Sequence, residues 1–265
     1  MNLIVEKKNF SEKVVMLRVE APRIARARKP GHFVIVRVSE TGERIPLTIA
    51  SANEKEGTIT LVIQAVGSSS QRINALKVGD YLHDVVGPLG RPTEIEKVGT
   101  VVCAGGGVGV APLYPIVEGF HKAGNRVIVV LAARNKDLVI LEDEMKKVSD
   151  EVIVMTDDGS SGRKGLVTAG VEEVIKREKV DRCITIGPAI MMKFVAKLTK
   201  EYNIPTVSSL NTIMVDGTGM CGACRVTVGG QRKFVCVDGP EIDAHQVDFD
   251  ELLMRLNSYK TPLKK

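Results

Sequence analysis

Through the first third of the chain, short segments rich in Val and Ile, interspersed with polar residues, follow one another. "LIVEKKNF", "VVMLRVEAP", "HFVIVRVSE", "RIPLTIASA" and "TITLVIQAVG" each read as a strand. Turn formers separate them: Pro30-Gly31, Thr41-Gly42 and the stretch from Asn53 to Gly57. The pattern is all-β and of barrel type, with one short helix predicted over "SSQRINALKVG", ending at Gly79. From residue 98 the chain changes character. "GTVVCAGGGVGVAPLYPIVEGFHKAG", "NRVIVVLAARNKDLVILEDEMKKV", "EVIVMTDDGSSGRKGLVTAGVEEVIKRE" and "DRCITIGPAIMMKFVAKLTKEY" each read as an apolar strand followed by a helix, the signature of a parallel α/β sheet. After residue 209 the regular alternation stops, and a cysteine-bearing segment leads to "DFDELLMRLNSY". There Phe249, Leu252, Leu253 and Leu256 fall on one helical face, which suits packing on its own domain better than on a partner. The expected organisation is a β-barrel over 1–97, an α/β parallel-sheet domain over 98–209 and a small C-terminal segment over 210–265.

Composition narrows the function classes. The chain has 265 residues with a formal net charge of +5, and the basic residues form no block that would argue for nucleic acid. No run of about 18 apolar residues is present to span a membrane, and the N-terminus lacks a signal-peptide core, so a cytoplasmic protein is expected. The five cysteines are odd in number and mostly clustered, which favours metal binding over disulfides. Cys103 and Cys183 lie within apolar strands and read as core. The four His are scattered, and no nucleophile or acid–base pair stands out, so no catalytic residue is assigned.

In "VVCAGGGVGVAP" the strand ends near Cys103; Gly105, Gly106, Gly107, Val108 and Gly109 follow, and a helix begins near Ala111-Pro112. Glycines let backbone amides approach a diphosphate, and a helix N-terminus favours negative charge. The spacing is not a clean G-x-G-x-x-G, and Arg134 stands where an acidic residue would hold a ribose. Two more loops leave later strands, with Thr156, Asp157, Asp158 and Gly159 in one and Gly187 and Pro188 in the other. In an open α/β sheet such loops gather on one edge, where ligands bind, so these residues together with Arg134 are candidate dinucleotide contacts.

Two stretches of the β segment carry a further signal. "RIPLTIAS" holds Arg44, Pro46, Leu47 and Thr48, and "IQAVGSSSQRI" runs through Ile63, Gln64, Ala65, Gly67, Ser69 and Ser70 into the short helix. This barrel-then-α/β order resembles the ferredoxin–NADP reductase superfamily. The resemblance implies that the first stretch borders an FAD ring, with the Thr48 hydroxyl near its reactive nitrogen, and that the second cradles the FAD diphosphate. The sequence departs from the family pattern twice: Ile45 occupies a position expected to be basic or variable, and Ile186 stands where many relatives have a Cys before the Gly-Pro of the last loop. Hydride transfer needs stacked rings rather than a thiol, so the second departure does not abolish the expected activity.

"VDGTGMCGACRVTVGGQRKFVCVDG" contains Cys221, Cys224 and Cys236. "VGGQ" reads as a hairpin turn that returns Cys236 to the first loop, whose glycines can turn amides inward toward sulfide. Three thiolates leave a fourth metal ligand to be found. The segment resembles the [2Fe-2S] segment of the electron-transfer subunit of dihydroorotate dehydrogenase, in which the upstream ligand is a fourth Cys. Here that position is Asp216, which resembles the small (alpha) subunits of NADH-dependent reduced ferredoxin:NADP+ oxidoreductases. The resemblance covers essentially the whole chain. It implies a [2Fe-2S] cluster on Asp216, Cys221, Cys224 and Cys236, FAD in the barrel and NAD(H) on the α/β loops. It also implies a heterodimer with a larger flavin- and iron–sulfur-containing subunit that handles NADP and ferredoxin by electron bifurcation. A nicotinamide carries two electrons as hydride and a cluster carries one, so a flavin belongs between them. The alternatives are the dihydroorotate dehydrogenase subunit itself and a zinc-stabilised nucleotide-binding module without redox activity.

Overall fold

A computed structural model describes residues 1–258; the last seven residues of the expected third segment, 259–265, lie outside the described residues. The first sheet is built from β1 (Asn2–Asn9), β2 (Val14–Glu20), β3 (Phe33–Arg37), β4 (Ile45–Asn53), β5 (Thr58–Gln64), β6 (Tyr81–Leu82) and β7 (Asp84–Leu89), with the short helices α1 (Pro22–Ala27) and α2 (Ser68–Ala75). Its order is β6-β1-β2-β5-β4-β3-β7, and only His83 separates the two edge strands, so the chain itself nearly closes the barrel. Alternation along the strands explains the interior. Val15, Leu17 and Val19 of β2 and Ile59, Leu61 and Ile63 of β5 point inward and are buried. A one-residue slip would turn each of these sets to water, which fixes the register Val15↔Ile63 and Leu17↔Leu61. Helix α2 stops at Ala75, short of the expected Gly79, because the Asp80 carboxylate accepts the Lys77 amide at 2.7 Å and turns the chain early.

The second sheet contains β8 (Thr100–Gly106), β9 (Arg126–Ala133), β10 (Glu151–Thr156), β11 (Arg163–Lys164), β12 (Arg182–Ile186) and β13 (Thr206–Ser209). Helices α3 (Val110–Lys122), α4 (Glu142–Lys146), α5 (Val167–Arg177) and α6 (Ala189–Glu201) connect or follow these strands. The order is β11-β10-β9-β8-β12-β13, with a short strand Glu241–Asp243 (β16) beyond β13, so the chain leaves the central β8 first to one side and then to the other. Such a reversal opens a crevice at the carboxyl ends of the strands, beneath the loops that follow β8 and β12. Strand β8 is buried along most of its length, which accounts for its unbroken apolar run.

The segment after residue 209 contributes the hairpin β14 (Arg225–Val228) and β15 (Gln231–Phe234), the single turn α7 (Val235–Asp238), β16 (Glu241–Asp243) and α8 (Phe249–Asn257). Strand β16 pairs antiparallel with β13 and so joins the second sheet. Phe249 and Leu252 of α8 are buried in one core with Met192 and Ala196 of α6 and Phe33 and Ile35 of β3. The amphipathic face is therefore packed inside the chain, as its pattern predicts, and that core draws on all three segments.

Candidate functional site

A cleft of about 1060 Å³ lies between the barrel and the second sheet. One wall carries Gln64, Ala65 and Val66 from the end of β5; the opposite wall carries Gly106, Gly107 and Val108 at the start of α3. Arg134, Asp157 and Pro188 line it as well, so all three expected α/β loops meet there. The loops are tied together by backbone: Asp157 N donates to Ala133 O at 3.1 Å and Asp158 N to Arg134 O at 3.3 Å. The Thr156 hydroxyl is buried and donates to Ser161 O at 2.6 Å, which makes it a brace of its loop rather than an open contact. Gly187 and Gly106 face each other across Met191, whose side chain fills the space a Cβ at either position would need. Gly107, by contrast, has open space beside it, and the backbone there at the mouth of α3 can offer amides to a diphosphate.

The residues expected around the flavin are placed less uniformly. Ile63 points into the barrel core, so its side chain cannot meet a ligand in the cleft; alternation along β5 gives that role to Gln64. Pro46, Leu47 and Thr48 pair with Ile35, Val34 and Phe33 on β3 and are half-buried. Arg44, immediately before β4, is exposed. At the head of α2, Ser70 Oγ accepts the amides of Val66 and Gly67, each at 3.0 Å, while Ser69 Oγ donates to the Glu43 carboxylate at 2.5 Å. The Glu43 carboxylate thus meets one hydroxyl of the serine run, while Ser70 occupies the amides of Val66 and Gly67. Ser11, Lys13 and Gln71 also line the cleft, and sequence reasoning missed them. They come from the β1–β2 turn and from α2, and nothing local to the turn signals that it reaches the second domain.

The cysteine segment folds as the hairpin reading expects. Gly229 and Gly230 both have positive φ, +55° and +76°, and close a two-residue turn that pairs Arg225 with Phe234. Cys224 and Cys236, which flank those two residues, are consequently face to face, with Sγ–Sγ 3.2 Å and both thiols buried. Burial, aided by the Cys224 thiol, pushes Cys236 up to about 12. A thiol raised in this way keeps its proton at neutral pH until a metal displaces it. The Gly219 amide turns toward the Cys236 sulfur, from a loop in which Gly217 and Gly219 hold φ of +75° and +86°. Cys221 is exposed on the same loop. Asp216 Oδ1 accepts the Thr218 amide at 2.9 Å and Oδ2 the Cys221 amide at 2.8 Å, and the Thr218 bond foremost holds the carboxyl below its ordinary range.

Asp216 therefore braces the loop, with lone pairs still free on each oxygen. Among the described residues no three of His, Cys, Asp and Glu converge closely enough to hold a metal ion by themselves. The four expected ligands stand as two neighbouring pairs, Cys224 with Cys236 and Asp216 with Cys221. Three thiols, a carboxylate and inward-turned amides are nevertheless the donor chemistry of an iron–sulfur cluster. Cys103 and Cys183 are fully buried in the second sheet, as expected of core residues, and burial pushes Cys183 up to about 12. No helix among the described residues is long and apolar enough to cross a membrane.

Comparisons with known proteins agree with this division of labour. Residues 2–93 match the oxidoreductase FAD-binding domain, 103–197 the oxidoreductase NAD-binding domain and 211–248 the iron–sulfur cluster binding domain of dihydroorotate dehydrogenase B. A Thermotoga maritima protein described as a dihydroorotate dehydrogenase B (NAD(+)) electron transfer subunit homolog is 49% identical over 260 residues, covering 98% of this chain and 92% of its own. A probable subunit of the same kind from Methanopyrus kandleri is 35% identical and covers 89% and 87%. Among solved structures, a chain of the NADH-dependent reduced ferredoxin-NADP oxidoreductase, studied for flavin-based electron bifurcation, superposes with a TM-score of 0.94. It is 48% identical and covers 98% of this chain and 94% of that one.

Proposed function

The chain belongs to the family of dihydroorotate dehydrogenase B electron-transfer subunits and their homologues, and from that premise we propose that it is the small subunit of an electron-bifurcating, NADH-dependent ferredoxin:NADP+ oxidoreductase. The observation that carries this reading is the 0.94 TM-score superposition at 48% identity over 98% of this chain; Asp216, where the resemblance to dihydroorotate dehydrogenase subunits implies a Cys, supports it. In this reading the amides at 105–109, the loop at 156–159 and Gly187-Pro188 seat NAD(H), with Arg134 lining the same cleft. Gln64, Ala65 and the Thr48 hydroxyl border the FAD ring, and the turn at 67–70 takes its diphosphate once Glu43 moves aside. Asp216, Cys221, Cys224 and Cys236 hold a [2Fe-2S] cluster. Bound flavin supplies the conversion between hydride and single electrons. The chain's own work is orientation: β5 and the α3 N-terminus hold the two walls of the cleft apart, and the hairpin keeps Cys224 beside Cys236. The partner is a larger flavin- and iron–sulfur-containing subunit that meets ferredoxin and NADP, in the cytoplasm.

A second reading is electron delivery to a dihydroorotate dehydrogenase, favoured by how the Thermotoga maritima relative is described. Anaerobic co-purification with the native partner decides between them. NADP reduction coupled to ferredoxin is the expected result; orotate reduction without it would establish the second reading. A colourless preparation containing zinc, without iron or acid-labile sulfide, would remove both.

A further inference from the structure

The barrel wall of the cleft carries one cation, and nothing in the family motifs assigns it a role. Lys13 sits in the turn between β1 and β2 and lines the cleft opposite Gly106–Val108 and Arg134. Its main chain is held at both ends, the amide donating to Ser11 Oγ at 3.3 Å. The Lys13 carbonyl accepts the Ala65 amide at 2.7 Å, and the adjacent Val14 pairs with Gln64 on β5. Val14 is buried in the core beneath α3, with Val110, Leu113 and Ile140, and Phe10 packs against the same core. The turn is therefore bolted to the very helix whose N-terminus faces the cleft.

Among the described residues, neither Lys13 nor Arg134 forms an ion pair, although seventeen such contacts exist elsewhere. A diphosphate resting on the loop amides has one side satisfied by N–H groups and the α3 dipole, and its other oxygens face the barrel. Lysine supplies a compact charge to phosphate and can reach across a cleft on its flexible stem. We propose that Lys13 is a diphosphate-binding residue contributed by the barrel, which clamps the nucleotide between the two domains. The proposal rests on the reading of this cleft as the nucleotide site. Two diphosphates could meet the ammonium, that of NAD(H) or that of FAD, and the geometry of the α3 mouth favours the first.

The test uses the full chain, purified with its flavin, in wild-type, Lys13→Ala and Lys13→Arg forms. Titrations with NADH, ADP-ribose and adenosine are followed by calorimetry, and the flavin-to-protein ratio is measured in parallel. Lys13→Ala should weaken NADH and ADP-ribose about tenfold, the scale of one charge-assisted hydrogen bond at a partly open site, and leave adenosine unchanged. Lys13→Arg should recover most of the loss, and Lys13→Ala should flatten the salt dependence of binding. Loss of flavin with unaltered NADH affinity would instead assign the same contact to the FAD diphosphate. Unchanged nucleotide affinity and flavin content in Lys13→Ala would overturn the proposal while leaving the cleft's function intact. Failure of the wild-type chain itself to bind NADH or ADP-ribose would sink the underlying reading of the cleft, and the Lys13 clamp with it.

Discussion

Single side chains decide two properties that backbone pattern cannot. Asp216 is held by the Thr218 and Cys221 amides, so it shapes the cluster loop whether or not it also meets iron. A carboxylate donates less electron density than a thiolate, and Asp216→Cys should therefore move the cluster's midpoint potential and its visible and magnetic spectra. Potentiometry checks this; an unaltered midpoint with full iron content would confine Asp216 to its bracing role. Glu241 is the second case. It accepts the Thr93 hydroxyl at 2.5 Å, and burial raises its carboxyl to about 7, with Thr93 and Arg182 opposing and Glu94 adding to the rise. A carboxyl raised in the folded state binds its proton more tightly there than when unfolded. Its contribution is thus favourable below about pH 4.5 and is lost as pH climbs toward 7. Glu241→Gln keeps an acceptor for Thr93 and removes the charge, and should stabilise the chain at pH 8 by on the order of 2 kcal/mol, while flattening stability between pH 4.5 and 7. Denaturant titrations at several pH values read both effects. The cysteines and Asp216 were legible in the sequence because thiols at this spacing have few other uses. Glu241 was not, since nothing in "GPEID" signals that its carboxyl will meet Thr93 from the far end of the first segment.

At the scale of elements, the hairpin β14–β15 is what turns three scattered cysteines into a site. Its two central glycines occupy left-handed backbone at φ +55° and +76°, where a β-branched residue is strained. At Gly229 an added Cβ also meets Gln246 Oε1 at 2.7 Å. Gly229→Val should destabilise the chain by about 2 kcal/mol and slacken the Cys224–Cys236 approach. Lower iron per chain, with flavin content preserved, is the expected readout; equal iron would show that the cluster loop holds its thiols without the turn. The turn was readable because "VGGQ" is a local signal, and the same holds for the glycine loop before α3 and for the amphipathic face of α8. Elements defined by distant pairing were not readable. Strand β16 has three residues and no pattern of its own, and it exists because the edge of β13 offers it partners. The edges of the barrel are equally silent: β6 has only two residues, and it takes its place by pairing with Asn2 and Leu3 at the start of the chain. In the same way, alternation along β5 separates Ile63 from its neighbour Gln64, although a motif-level reading groups them as one contact set.

At the scale of the whole molecule, three domains in sequence do not imply three independent folding units. Chain order suggests cutting at 97 and at 209, and the structure shows what each cut would sever. The first would part Val14, buried beneath α3, from the core it shares with Leu113 and Val117. The second would remove β16 from its sheet and strip Phe33 and Ile35 of the barrel and Met192 and Ala196 of α6 of the side chains that cover them. It would also break the stitching of the barrel's exit to the cluster segment, where Arg91 N donates to Gly239 O at 2.7 Å and Arg91 Nε to Val237 O at 3.1 Å. Each large apolar side chain exposed in this way costs about 1.5–3 kcal/mol, and a domain's net stability is only about 5–15 kcal/mol, so losing several at once exceeds what a remainder can bear. A chain truncated to residues 1–209 should therefore fail as a flavin and nucleotide module, with aggregation or loss of cooperative unfolding and little bound FAD. The control is the full-length chain with Cys221, Cys224 and Cys236 replaced by Ser, which should keep its flavin and its cooperative transition while losing iron. Should the truncated chain instead unfold cooperatively and retain stoichiometric flavin, the shared core would be incidental and the segments separable. The physical reason to expect otherwise is that electron exchange tolerates little slack. A cluster segment packed into both other domains holds its thiols at one fixed distance from the barrel, and a flexible linker would not.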